Sequence, residues 1–234
     1  SHNCCNYIRR AITKSKEKLR GLIHDGAIKT LFQPVIRLSD RTVLGYEALS
    51  RGPEGTEFFN PMMLFTIAEQ SDLLFELDHL CRQRAIANAR TLAPGHLLFI
   101  NTLPASIHDS TFRGRYLGAL LEETTLAPSN IVLEVTETLA IQGYERFHEA
   151  LTALRSAGVA IAIDDAGTGY ASLDMIAKLR PNYIKIDLSL IRDIDSITHG
   201  GTSFRLVIGE YGSGKTFFLN LVRAVAMEKK LVVT

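Results

Sequence analysis

The sequence predicts an α/β fold with parallel crossovers. Short apolar runs of strand length alternate with longer stretches of helical periodicity. Those runs lack a clean polar face, so they are covered on both sides. Acids and an amide recur at or just after their C-terminal ends: Glu47, Asn101, Glu134, Asp164 and Asp165. In an α/β barrel those ends share one face, and chemistry gathers there.

Residues 6–25 read as a helix, with Ile8, Ile12, Leu19, Leu22 and Ile23 in rough helical register. Its other face carries Arg9, Arg10, Lys14, Lys16, Lys18 and Arg20. That face fits a solvated linker helix from an upstream domain or, less simply, a helix lying on a membrane. Segments 31–36 and 42–49 form a hairpin across a turn at Ser39 and Asp40. Helices follow at 61–70 and 74–92, the first with Asn60 as N-cap and Pro61 at its first position. Strand 96–101, helix 112–124 and strand 131–136 come next. Helix 144–156 is stopped by Gly158, and strand 159–164 follows. A short helix at 172–179 leads to strand 183–187. The Gly200-Gly201 pair reads as a joint. Beyond it come strand 204–209, a glycine-rich turn at 209–216, helix 217–230 and the start of another strand.

With 234 residues and 46% hydrophobic content, the chain can bury the core of one α/β domain or two small ones. A net charge of +1, with acids and bases mixed, argues against a nucleic-acid duplex or a membrane surface as partner. No segment approaches the length of a membrane span, and no secretory signal is visible. An anchor could still precede this stretch in a longer parent. Cys4, Cys5 and Cys81 have neither metal-site spacing nor the number of a disulfide framework, which fits a reducing interior.

Taken singly, Glu47 reads as a solvated carboxylate and Asn101 as a turn residue. Glu134 is harder to dismiss. It lies inside the apolar run IVLEVT, where a carboxylate needs a partner or a metal ion. Asp164 and Asp165 close an apolar strand just before two glycines, and Lys185 is charged within YIKID. Carboxylates gathered at successive strand ends would repel one another unless cations lay between them. Oxygen donors with one amide and no cysteine favour Mg²⁺ or Mn²⁺ over zinc. Two hard cations suit the attack of water on a phosphate ester, with Lys185 placed to orient the water or offset charge.

These residues resemble the EAL-domain family of cyclic di-GMP phosphodiesterases. The name motif is present as Glu47-Ala48-Leu49, continuing to Ser50-Arg51. Also similar are LFQPV upstream, INTLP at 100–104, LEVTE at 133–137, DDAGTGYASL at 164–173 and YIKIDLSLIRDID at 183–195. The resemblance covers about residues 28–195. It implies a modified triosephosphate-isomerase-type barrel with one strand reversed. It further implies hydrolysis of cyclic di-GMP to linear pGpG with two Mg²⁺ or Mn²⁺ ions. On this resemblance Glu47, Asn101, Glu134 and Asp164 are metal ligands, and Asp165 holds the second ion and helps activate the water. Lys185 contacts that water, Arg51 touches a substrate phosphate, and Gln33 and Leu49 line the pocket. Glu137 anchors a mobile loop at 166–172. The resemblance implies a bacterial cytoplasmic location, free or membrane-anchored, and allows a homodimer and an upstream sensor.

Two departures matter. Ala166 stands where the family usually has Phe. After the lysine strand the family expects a glutamate in an AEGVE-like motif and a final strand with a Gln-Gly pair, and neither motif is present. The resemblance therefore leaves room for a catalytically inactive, cyclic di-GMP-binding signalling or scaffold domain.

Gly209-Glu-Tyr-Gly212-Ser-Gly214-Lys215-Thr216 matches G-x-x-x-x-G-K-[ST] in full, between an apolar strand and a helix. Its backbone N–H groups would cradle phosphates, with Lys215 on the terminal ones and Thr216 on magnesium. This segment resembles the opening of the ATP-binding domain of a P-loop ATPase, of the kind found in phage-defence systems. It is either a second fragment joined near residue 200 or a substitute that completes the barrel. The expected layout is a linker helix at 1–27, a barrel domain at 28–199 and the strand-loop-helix segment at 200–234.

Overall fold

The computed structural model describes residues 2–37, 39–103, 126–136, 144–166 and 179–186, with Arg192, Ser196 and His199. The chain divides into two compact units, Ser1–Val132 and Leu133–Thr234.

The first unit opens with helix α1 (His2–His24) and the strands β1 (Lys29–Arg37) and β2 (Thr42–Arg51). Helices α2 (Pro61–Gln70) and α3 (Leu74–Asn88) follow, then strand β3 (Leu97–Asn101). Strand β4 (Ile131–Thr136) runs across the division. The second unit continues with α4 (Tyr144–Ser156), β5 (Ala160–Ala166) and β6 (Tyr183–Ile186). The expected helices at 112–124 and 172–179, and everything expected beyond residue 200, lie outside the described residues.

The strands follow chain order within each unit, β1-β2-β3 and β4-β5-β6. β1 and β2 form the expected antiparallel hairpin, with Gln33 opposite Glu47 and Leu31 opposite Leu49. The pairs β2–β3 and β5–β6 are parallel. The fold is therefore α/β, and among these pairings β1 alone runs antiparallel to its neighbour, which agrees with the modified EAL-type fold that the resemblance implied.

Local chemistry explains the element ends. The Asn60 side chain accepts from the backbone N–H groups of Met62 and Met63, at 2.9 and 3.4 Å, and Pro61 occupies the first turn, where its missing N–H costs nothing. Helices α1 and α4 stop alike. Gly26 and Gly158 take left-handed φ of +62° and +94°, and the residue after each donates to the carbonyl five positions back. α2 uses the same device without glycine. Asp72 sits at φ +54°, and Leu73 N–H donates to the carbonyl of Ala68. No glycine marked that end, so the sequence showed only a gap between two helices.

The core of the first unit joins all three helices. Leu19 and Leu22 of α1 are buried with Ile28, Phe58, Leu64, Ala68, Leu73, Leu77, Leu80 and Cys81. The C-terminal half of α1 is thus built into the unit. Among the described residues its charged face makes ion pairs at the surface, Lys18 to Glu57 at 3.1 Å and Lys16 to Asp72 at 3.9 Å. Such exposed pairs contribute about 0–1 kcal/mol each, so apolar burial dominates the docking. Among the described residues no helix is long and apolar enough to cross a membrane.

Candidate active site

In the first unit the register of the hairpin sets the site. Residues two apart on a strand share a face, and directly paired residues on neighbouring strands share it too. Glu47, Leu49 and Arg51 therefore lie on one face of β2, with Gln33 opposite Glu47 on β1. Glu47 pairs with Phe99 on the parallel strand β3, which puts Asn101, two residues on, on the same face. The Asn101 amide donates to Glu47 Oε1 at 3.4 Å, which leaves its carbonyl oxygen as a donor atom for a cation. Arg51 is held at the strand end, its guanidinium donating to the carbonyl of Ser50 at 2.8 Å. All the residues expected in this unit, Gln33, Glu47, Leu49, Arg51 and Asn101, share that face.

In the second unit Glu134 is 1% exposed and flanked by Leu133 and Val135, each also 1% exposed. Lys185 Nζ lies 2.9 Å from Glu134 Oε1 and 3.2 Å from Asp164 Oδ2. One ammonium from β6 thus serves a carboxylate from β4 and another from β5. A buried carboxylate needs such a partner, because burial among apolar neighbours disfavours its charged form. Glu134 and Lys185 are the charged residues that looked misplaced within apolar strands.

The sequence missed how the two adjacent aspartates are displayed. Strand β5 does not end at Asp164; it runs to Ala166, with one extra residue relative to β6 between Ile163 and Ala166. This is a β-bulge. Asp165 occupies it at φ +56°, and its N–H donates to Asp164 Oδ1 at 2.9 Å. A bulge breaks the two-residue alternation and re-aims side chains. Asp164 is thereby directed to Lys185 while Asp165 is exposed. Left-handed φ is tolerated by Asp better than by most residues, which suits the residue type to the kink. Ala166 is buried, whereas Glu137, the rest of the loop to 172 and the glycine-rich segment with Gly209, Gly212, Gly214, Lys215 and Thr216 lie outside the described residues.

The donors are hard: carboxylate oxygens and one amide oxygen, with no thiolate or imidazole among them. That chemistry fits Mg²⁺ or Mn²⁺. A buried Glu134 beside Asp164 fits a cation as well, because charge at that depth needs a strong partner.

An α/β fold with its first strand antiparallel to the second, carrying acids and an amide along its strands, defines the class of domain. Within that class this chain belongs to the EAL domain family, whose model matches residues 16–210. It is 32% identical over 197 residues to the probable cyclic di-GMP phosphodiesterase PdeG of Escherichia coli, covering 81% of this chain and 38% of that protein. It is 31% identical over 184 residues to the cyclic di-GMP phosphodiesterase NbdA of Pseudomonas aeruginosa, covering 76% of this chain and 23% of that protein. The chain spans about a quarter to two fifths of these relatives' lengths. Among solved structures, it resembles BlrP1 of Klebsiella pneumoniae in a manganese and cyclic di-GMP complex. There the TM-score is 0.67 at 29% identity, covering 88% of this chain and 48% of that one.

Proposed function

We propose that this chain is a phosphodiesterase domain that binds cyclic di-GMP and hydrolyses it to linear pGpG. The observation that carries the reading is the pair of carboxylates, Glu134 and Asp164, gathered on Lys185, the former buried within an apolar strand. Support comes from the family, from relatives named as cyclic di-GMP phosphodiesterases and from a similar structure holding manganese with cyclic di-GMP.

In this reading Glu47, Asn101, Glu134 and Asp164 would be metal ligands, and Asp165 would take part in holding the second ion. The ions, when bound, polarise the phosphoryl group and lower the pKa of water. The protein does the rest. Gln33 and Leu49 line the substrate pocket, and Arg51 pairs with a phosphate oxygen in a charge-assisted bond. Lys185 pairs with Glu134 and Asp164 and would orient the attacking water through its ammonium, while Asp165, on the bulge, would accept the proton. The reading extends to the bacterial cytoplasm, free or as the cytoplasmic part of a membrane-anchored parent, and allows a homodimer and an upstream sensor.

A binding-only reading draws on one observation: residues 187–234 contain no AEGVE-like glutamate motif. The same experiment separates the two. Cyclic di-GMP is titrated into the chain with Mn²⁺ by calorimetry, and products are followed by chromatography. Catalysis predicts binding and pGpG, with both Glu134→Gln and Lys185→Ala losing turnover. Binding without pGpG selects the receptor. No binding with Mn²⁺ present removes both. A third reading, nucleotide binding at 209–216, is tested by whether Lys215→Ala abolishes ATP binding while sparing cyclic di-GMP.

A further inference from the structure

Helix α3 carries a charged pair where a helix of this kind normally carries apolar side chains. Asp78 is 4% exposed and Arg82 3% exposed, one helical turn apart, and the Arg82 guanidinium donates to Asp78 Oδ2. Buried ion pairs seldom add stability over apolar residues of the same size, because desolvating two charges offsets their attraction. The pair therefore invites a reason other than stability. That reason lies on the other oxygen. Asp78 Oδ1 accepts the backbone N–H of Leu103 at 3.4 Å.

Leu103 is two residues beyond Asn101, the last residue of β3. Between them Thr102 is 5% exposed, and its hydroxyl donates back to the carbonyl of Ile100 at 3.4 Å. The chain leaving β3 is thus fixed on both sides of Asn101. The parallel register with β2 holds it before, and Asp78 holds it after. A side-chain amide can serve as a neutral donor to a cation only if its backbone fixes where the oxygen points, because it has no charge to draw it in. The guanidinium of Arg82 bonds one oxygen of the Asp78 carboxylate while the other oxygen faces Leu103.

We propose that Asp78, locked by Arg82, is a positioning residue for Asn101. It clamps the backbone after β3 so that the Asn101 amide bridges to Glu47 and presents its oxygen to a divalent cation. This rests on the metal-centre reading above. The residues that orient metal ligands change metal affinity by about 10–100-fold when lost.

The experiment uses two variants of the full chain. Asp78→Asn keeps an oxygen acceptor for Leu103 but removes the charge partner of Arg82. The double variant Asp78→Leu with Arg82→Met replaces the pair by apolar side chains and removes the acceptor. Three quantities are read for each: thermal unfolding, Mn²⁺ affinity by electron paramagnetic resonance without substrate, and amide NMR without metal. The clamp predicts that Asp78→Asn unfolds at lower temperature yet keeps Mn²⁺ affinity within about threefold. It predicts that the double variant stays folded, binds Mn²⁺ at least about tenfold more weakly, loses hydrogen-exchange protection at Leu103 and shows shifted Asn101 side-chain amide resonances. A folded double variant with unchanged Asn101 resonances overturns the clamp, whatever its metal affinity. So does an Asp78→Asn variant whose Asn101 resonances shift as far as the double variant's. Failure of the unaltered chain to bind Mn²⁺ removes the metal centre instead, and the NMR arm still decides the clamp. If the double variant does not fold, the Asn101 resonances of Asp78→Asn decide alone.

Discussion

Lys185 Nζ stands 2.9 Å from Glu134 Oε1, and Glu134 is 1% exposed. An ammonium and a carboxylate at that distance, the carboxylate buried, depend on each other. Lys185→Ala should therefore destabilise the metal-free chain toward the low end of about 3–5 kcal/mol, since its own side chain is 29% exposed. Urea unfolding measures it. Adding Mn²⁺ should narrow the deficit, because a cation can replace the lost charge beside Glu134. An unchanged deficit in Mn²⁺ would argue that no ion reaches that carboxylate.

Leu19 is completely buried among side chains of α2 and α3. Leu19→Ala should cost about 2–5 kcal/mol, the range for a truncated core leucine, measured by denaturant midpoint. A helix serving only as a linker would give a change near zero. The outcome bears directly on whether residues 1–27 are a separate linker or part of the first unit.

Asn60 caps α2 through two backbone N–H groups. Asn60→Ala should lower stability by about 1 kcal/mol, while Asn60→Asp should hold it, since Asp caps equally well. Equal losses from both would assign the effect to something other than the cap.

Asp40 lies in the hairpin turn. The Thr42 hydroxyl and backbone N–H donate to it, and Arg37 reaches its other oxygen. Those bonds, led by the Thr42 hydroxyl, lower its pKa to about 2. The folded value is below the unfolded one, so the fold gains stability above the unfolded carboxylate pKa of about 3.9 and loses it as pH falls to about 2. The stability difference between the unaltered chain and Asp40→Asn should be constant from neutral pH down to about 4 and shrink between there and about 2. A difference that persists unchanged through acid would assign the turn's contribution to backbone geometry.

Cys81 is buried, and desolvation pushes its thiol up to about 11. The nucleophile is the thiolate, so Cys81 should resist alkylation at pH 8 until the chain opens. Peptide mapping after iodoacetamide, with and without urea, reads this. Rapid labelling of the folded chain would show that α3 opens locally.

The element layout was legible because it depends on local chemistry. The Asn60-Pro61 start, the Gly158 stop and the Ser39-Asp40 turn each name their place in a few adjacent letters. The end of α2 was not legible, since Asp72 takes a backbone conformation that its side chain permits but does not announce. Glu134 and Lys185 stood out as charges inside apolar runs. The bulge at Asp165 did not, because one extra residue shows only when a strand is laid against its partner. Asp78 and Arg82 also passed unnoticed. At a spacing of four on a helix they read as an ordinary surface pair, and only burial separates the two cases.

By itself the sequence determined the order of strands and helices, the reversed first strand and the identity of the charged residues within the apolar runs. Periodicity, caps and turn residues act over a few positions, and the chain carries that information wherever it goes. Tertiary structure decided which oxygen faces which nitrogen. It set Lys185 between Glu134 and Asp164, aimed Asp164 through a bulge, and turned a helical pair on α3 into a fastening for the end of β3. Those relations depend on pairing register and burial, which arise only when segments far apart in the chain are packed together.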